Sequence, residues 1–341
     1  MQPLVSVLIP AYNSANWIGQ TIQSVLAQTW PNLEIIIVDD GSTDQTLAIA
    51  RTFASDRVQV FTQPNQGAAA ARNHAIRKAQ GDYIQFIDAD DLLAPDKISQ
   101  QIKLLQASPP NCIASGAWSR FYHHPREAAF TLDALWQHLS PMDWLIAAWQ
   151  ENLMMHPAAW LVPRSIIDAA GEWDEGLSLN DDGEYFCRVI LASQGVQFCG
   201  HAKSFYRSGI SGSLSDRKSD AAYQSAYRAI ELCTQHLLQV ESTPRTQAVC
   251  SMLFQRFIYE TYPAVAALQC QAERQVQALG GWTLPPSGSP SFEKLSKRFG
   301  WRMAKRIQYF IYLIGYRRWK TQQQQKLRQS QTSGLPSWLE S

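Results

Sequence analysis

Asp88-Ala89-Asp90-Asp91 closes the apolar run Tyr83-Ile84-Gln85-Phe86-Ile87. Three carboxylates at the end of a buried strand are costly unless a positive group sits among them. The pattern recurs upstream, where Glu34-Ile35-Ile36-Ile37-Val38 runs into Asp39-Asp40-Gly41-Ser42. Ligands of open α/β sheets bind outside the carboxyl ends of the strands. Two acidic strand ends in one such sheet therefore predict a divalent cation and a polar ligand.

The elements that must carry these acids alternate. Residues 4–9 read as a strand stopped by Pro10, and Ser14 is placed to cap the next helix, whose apolar pairs Trp17/Ile18, Thr21/Ile22 and Val25/Leu26 recur every four residues. Residues 33–38 form a second strand, and Ser42 is placed to cap a helix running to about Phe53. A third strand spans Arg57 to Thr62, an alanine-rich helix Gly67 to Ala79, and a fourth strand Tyr83 to Ile87; Pro95 suits the first turn of the helix that follows. The strands are continuous apolar runs, which predicts a mostly parallel sheet covered by helices on both faces. The fingerprints G-x-G-x-x-G and Walker A are both absent.

Tyr12-Asn13, Asp39 to Asp44, Gly67, Ala71-Arg72-Asn73 and Asp88 to Asp91 fall in one order at βα spacing. Together they resemble the nucleotide-sugar half of the family 2 glycosyltransferases, which have the GT-A fold. The resemblance covers about Val5 to Ser215. It implies that Asp90 is the main ligand of Mn²⁺ or Mg²⁺, with Asp88 beside the metal or the ribose and Asp91 beside the metal or the donor sugar; a cap on the turn before Pro95 is the alternative for Asp91. It also implies that Asp40 accepts a base N–H, as uracil offers, that Tyr12 packs on the base, and that the backbone of Pro10, Ala11 and Ala89 lines the same rim. Arg72 would reach the base or the phosphates; a surface salt bridge is its alternative. Asp39 and Asp44 are expected to tie down the turn and the helix start.

In the second half, Asn180-Asp181-Asp182-Gly183-Glu184 followed by Arg188 resembles the family's acidic pair and downstream arginine, with Asp181 standing where Glu is usual. By that resemblance Asp182 is the catalytic base of an inverting transfer, and Asp181 and Arg188 support it or the diphosphate. The alternative is a helix start favoured by acids. Tyr206-Arg207 to Ser215 resembles the family's closing segment, so Arg207 and Ser213 become diphosphate candidates; the His usual there is replaced by Ser208-Gly209-Ile210. His156 reads as an ordinary packed or surface residue. Trp160 and Trp173 flank the proposed base and are the acceptor candidates among tryptophans whose default is core packing.

The expected organisation is a nucleotide-sugar half over 1–108, an acceptor and catalytic half over 109–215, a helical extension over 216–284, a basic aromatic helix over 291–320, and a disordered Gln/Ser-rich tail over 321–341. A net charge of +1 makes no case for nucleic acid, but the distribution is uneven. Residues 296–320 hold eight Lys or Arg and no acid, leaving −7 on the remainder. The apolar stretch at 307–314 is too short to span a bilayer, and its basic flanks suit either a bilayer surface or a helix packed on the domain. Six cysteines without a C-x-x-C pair, and an N-terminus without a signal peptide, predict a cytoplasmic protein, with peripheral contact at the inner face of the membrane through 297–320. The expected partners are a nucleotide-sugar donor, UDP-linked in the first instance, and a saccharide or lipid-linked hydroxyl acceptor, as in cell-envelope polysaccharide or glycolipid synthesis. The rival readings are a nucleotidyltransferase, which would carry a basic Gly-rich loop where Ala-Tyr-Asn-Ser stands, and a non-catalytic nucleotide-sugar-binding module.

Overall fold

Val5–Ala11 (β1) is buried along its whole length and lies at the middle of a five-stranded sheet. The computed structural model describes residues 2–210, 219–281, 288–311 and 315. The chain divides into two units, one running to Ile210 and the other comprising the described residues from 219 onward.

In the first unit β1 is followed by α1 (Ile18–Leu26), β2 (Leu33–Asp39), α2 (Thr46–Arg51), β3 (Val58–Thr62), α3 (Ala68–Lys78) and β4 (Tyr83–Phe86). The strand order is β3-β2-β1-β4, all parallel, with β7 (Val162–Pro163) antiparallel at the β4 edge. Helices cover the sheet, and Val5, Val7, Ile9, Ile18, Ile22, Ile35 and Ile37 share one core. This is the parallel sheet that the continuous apolar strands predict. Two helix starts differ from expectation. Ser14 receives the first amides of α1 on its backbone carbonyl, not on its hydroxyl. Ser42 Oγ accepts from Asn13 N–H at 3.0 Å, and α2 begins four residues later, with Asp44 accepting from Thr46 N–H at 2.9 Å. The Pro95 helix, α4 (Lys97–Ala107), likewise starts two residues late.

Sequence reading missed a second sheet. It contains β5 (Leu92–Leu93), β6 (Cys112–Phe121) and β8 (Gly195–Arg207) in the order β5-β8-β6. Between β6 and β8 lie α5 (Pro141–Glu151), β7, α6 (Arg164–Ala170) and α7 (Asp181–Ala192). Leu92 pairs with Phe205 and Leu93 with Ser204. The acidic turn is therefore clamped at both ends, by β4 in one sheet and by β5 in the other.

The second unit is helical: α8 (Asp220–Val240), α9 (Pro244–Thr261), α10 (Ala266–Ala278), α11 (Pro290–Phe299) and α12 (Trp301–Ile311). Tyr227, Phe254, Phe257, Ile258, Ala272 and Val276 form its core. The single basic helix expected over 291–320 is broken in two at Gly300, whose φ of +78° suits glycine. The tail over 321–341 and Ser213 lie outside the described residues.

Candidate active site

The turn Asp88–Asp91 is closed by Asp91 N–H to Asp88 C=O at 3.1 Å. Thr21 Oγ1 donates to the carbonyls of Ala89 and Asp91, both at 2.9 Å. The three carboxylates then take different surroundings. Asp91 is fully buried: Oδ1 accepts from Arg207 N–H at 2.9 Å, and Oδ2 lies 3.1 Å from His156 Nδ1. The other His156 nitrogen meets Ser204 Oγ at 2.8 Å. Burial drives the imidazole down to about 3, so the ring is neutral, and a proton on Nδ1 satisfies both contacts. Asp91 is thus an internal brace and not a donor contact, which corrects its expected role. Its carboxylate goes to Arg207 and His156, so the alternative of a cap on the turn before Pro95 is not what it makes. Ser204 and the role of His156 were not visible in sequence, because their β8 and loop positions meet Asp91 only through tertiary packing.

Asp90 is half-buried, and burial together with Asp91 and Asp88 pushes its carboxyl well above the usual range. Burial is the larger cause, and the neighbouring acids add to it. Arg207 partly offsets it, but its guanidinium Nε donates to the Asp90 carbonyl at 2.8 Å and Nη2 to Gln20 Oε1 at 2.8 Å. With Trp17 at 4.2 Å and Phe121 at 4.4 Å from the guanidinium carbon, Arg207 backs the turn from inside. In this position Arg207 supports the turn.

Asp88 joins the two halves of the site. Its Oδ1 accepts from Arg72 Nη2 at 2.8 Å, while Arg72 Nη1 donates to Asp181 Oδ2 at 2.8 Å. The guanidinium lies 4.4 Å from the ring centroid of Trp173, which stacks in turn on Tyr185 at 4.0 Å. Arg72 is only 5 % exposed, so the surface salt bridge is excluded. Asn73 fixes the Trp173 backbone from α3, with Nδ2 donating to its carbonyl at 2.9 Å and Oδ1 accepting its N–H at 2.8 Å. Trp173 is therefore a wall under Arg72 and not an acceptor platform. Trp160 is corrected likewise: it is 1 % exposed and stacks on Phe186 with ring centroids 5.3 Å apart.

Removing Arg72 should be expensive. Arg72→Met keeps length but leaves Asp88 and Asp181 without their shared cation. Loss of one partner from a fully buried pair costs ~3–5 kcal/mol; the partial exposure of both acids reduces this to roughly 2–3 kcal/mol. Urea denaturation of Arg72→Met should show that loss, and Arg72→Lys should recover only part of it, because an ammonium cannot fork to both acids while lying on Trp173. A Met variant as stable as the wild type would mean that the bridge carries no net stability.

Asp182 stands in the first turn of α7, after Asn180 at φ +62°. Its Oδ1 accepts from Gly183 N–H at 2.8 Å. Burial, then the neighbouring Asp181, push its carboxyl up to about 6, with Arg72 opposing. A carboxylate at that value is ionised at neutral pH yet basic enough to take a proton. Arg188 lies one turn and a half further on, bound to both Glu184 oxygens and to the carbonyls of Ala170 and Glu172. It straps α7 to the preceding loop, the supporting half of its expected role.

At the other strand end, Asp40 accepts from Gln63 Nε2 at 2.8 Å, Gln66 N–H at 2.9 Å and Gly67 N–H at 2.8 Å. It orders the loop into α3, and one of its four acceptor positions remains. Asp40 N–H donates to Ala11 C=O at 2.8 Å, Pro10 and Ala11 are buried, and Tyr12 is 45 % exposed on the rim. Asp39 holds Ser42 N–H and Thr62 Oγ1, both at 3.3 Å, as expected of a turn tie. Gly41 takes φ +69°, and a Cβ there would stand 2.7 Å from Asn65 N, so this turn requires glycine.

Among the described residues no three His, Cys, Asp or Glu side chains form a cage for a metal. Hard cations bound with phosphates use only one or two carboxylates and take the rest of their oxygens from phosphate and water. Asp90, which no side-chain cation pairs among the described residues, and Asp88, whose one oxygen is held by Arg72, fit that kind of donor set. A cavity of about 540 Å³, lined by Gln80, Tyr83, Arg164 and Asp168 among others, lies at the opposite end of β4 and contains none of these acids.

Residues 6–168 match the sequence model of Glycosyl transferase family 2. A Bacillus subtilis glycosyltransferase named for teichuronic acid biosynthesis, TuaG, is 44 % identical over 107 residues, 30 % of this chain and 42 % of the relative. The chain spans 11–60 % of the length of curated relatives it matches. Among solved structures, Staphylococcus aureus TarS 1–349 in complex with UDP-GlcNAc superposes with a TM-score of 0.60 at 15 % identity, covering 84 % of this chain and 95 % of that one. A Pyrobaculum calidifontis mannosyltransferase in complex with GDP-Man and Mn²⁺ gives 0.52 at 19 % identity, covering 97 % and 86 %. At these identities the likeness establishes the fold, GT-A.

Proposed function

We propose that this chain, whose residues 6–168 match the Glycosyl transferase family 2 model, moves a sugar from a nucleotide-diphospho sugar to a hydroxyl acceptor with inversion, using Asp182 as base. The observation that carries this reading is the Arg72 bridge. One buried guanidinium binds Asp88 of the acidic turn and Asp181 beside Asp182, so donor acids and base belong to one constellation.

In the proposed reaction the acceptor oxygen attacks the anomeric carbon while its proton passes to an Asp182 carboxylate oxygen. The bond from that carbon to the phosphate oxygen breaks on the opposite face, and the nucleoside diphosphate leaves with the electron pair. Arg72 keeps Asp181 in place beside the base. Asp90 and Asp88 would hold Mn²⁺ or Mg²⁺, which when bound neutralises charge developing on the leaving diphosphate. Tyr12 offers its exposed ring to the base, and the free acceptor position of Asp40 suits a base N–H such as that of uracil. A UDP-sugar is therefore the first donor to test. TuaG's name favours an envelope polysaccharide acceptor, saccharide or lipid-linked.

Thermal shift with UDP-, dTDP- and GDP-sugars, with and without Mn²⁺, tests the donor assignment. A matched donor at about a hundredfold excess over Kd should stabilise the protein by roughly 2.7 kcal/mol, and only with the cation present. Nucleoside diphosphate should then be released when acceptor is added. Donor binding without turnover on any acceptor would favour a binding module, and formation of a sugar nucleotide from a sugar phosphate and a nucleoside triphosphate would replace this reading with nucleotidyl transfer.

A further inference from the structure

Helix α12 packs within its own unit by the side that is not its apolar side. Trp301 sets its ring edge-on to Tyr259 at 4.7 Å and Tyr262 at 5.3 Å, and Ala304 is fully buried. Lys305 and Gln308 share that side and are half-buried. At about 100° per residue, Met303, Ile307 and Phe310 are centred roughly 140° away around the helix, while Ile311, seven residues after Ala304, falls about 20° from that residue. Met303 is 46 %, Phe310 64 % and Ile311 61 % exposed, and Phe299, before the break at Gly300, is 54 % exposed. A surface helix of a soluble domain ordinarily turns its apolar stripe to the core. In α12 that stripe faces outward.

The charge beside it selects the occupant. Arg302 and Arg306 run along the border between the packed side and the apolar side, and Lys297 and Arg298 are exposed at the end of α11. Exposed apolar residues bordered by cations match the headgroup boundary of an anionic bilayer. A second copy of this chain would bring the same cations face to face. Residues 290–311 carry six Lys or Arg and one Glu, so the rest of the chain carries −4, and an anionic surface attracts this segment and repels the remainder. No described helix is long and apolar enough to cross a membrane, and a surface-lying segment needs none.

We propose that α11 and α12 form a peripheral membrane foot, seating Phe299, Met303, Phe310 and Ile311 at the headgroup boundary while Lys297, Arg298 and Arg306 meet lipid phosphates; Arg302 pairs with Glu273 at 3.2 Å. The assignment is independent of the transfer reaction, and its test requires no activity. The full chain is sedimented with sucrose-loaded phosphatidylcholine vesicles, with and without phosphatidylglycerol. It should bind the anionic vesicles far better, and added salt should release it. Lys297→Gln/Arg298→Gln should weaken the partition coefficient about 25-fold, at about fivefold per charge. Met303→Ser/Phe310→Ser should weaken it at least about tenfold, and both pairs, being exposed, should leave the melting temperature unchanged. Equal partitioning of wild type and both variants, or binding indifferent to headgroup charge, would overturn the foot. A smaller mass for the Ser variant by light scattering without vesicles would overturn it as well, by making the face a contact between copies.

Discussion

Asp182→Asn should lower kcat by about 10²–10⁴-fold while leaving the donor Kd close to that of the wild type. The amide keeps the shape of the side chain and can still accept from Gly183 N–H, but it takes no proton from an acceptor hydroxyl. Stability should move the other way from activity. The Asp182 carboxyl is raised from 3.8 to about 6 in the fold, so the folded state binds more protons than the unfolded chain between those values. Stability therefore falls as pH rises through that window, and the cost is fully present above about pH 6. Asn removes the charge, so the variant should melt at or above the wild-type temperature at pH 8. A variant with collapsed donor affinity and intact kcat would make Asp182 a binding residue.

Asp90→Ala should abolish the Mn²⁺-dependent part of donor affinity and lower turnover by ~10³-fold, the scale of several kcal/mol of lost charge neutralisation. Without donor or metal, the variant should be no less stable than the wild type, since Asp90 stands against Asp88 and Asp91 with too little positive charge near it. Titration calorimetry with Mn²⁺ and nucleoside diphosphate reads the binding loss without relying on activity. Wild-type Mn²⁺ response in Asp90→Ala would remove Asp90 from the metal assignment. Asp91 provides the contrast: its oxygens are engaged by Arg207 and His156, so Asp91→Ala should lose stability first.

The parallel sheet was legible because strands buried on both faces must be mostly apolar, and β1, β2 and β4 are, interrupted only by buried Ser6, Glu34, Asp39 and Gln85. The acids were legible because carboxylates at strand ends need a reason. The second sheet was not, since β5 is two residues long and β8 joins partners more than eighty residues away. The same distance hid the division of labour within the acidic turn: Asp88, Asp90 and Asp91 look alike in sequence, and only β8 and His156 single out Asp91 for burial. Trp160 and Trp173 were misread because proximity in sequence to the base says nothing about which way a ring packs; core packing, the default for tryptophan, prevailed. Arg72 was assigned to ligand on resemblance alone, and its pairing with Asp181, 109 residues away, could not be read from spacing. The break at Gly300 was readable in principle, for a glycine inside a helical pattern is a weak point.

The pH dependence of kcat at saturating donor, acceptor and Mn²⁺ tests the central claim most directly. With Asp182 as the base, kcat in the wild type should rise with unit slope through an apparent pKa near the carboxyl's value of about 6 and level off above it. The residual activity of Asp182→Asn should lack that limb. The same acidic limb in both proteins, at the same midpoint, would place the essential base on another residue.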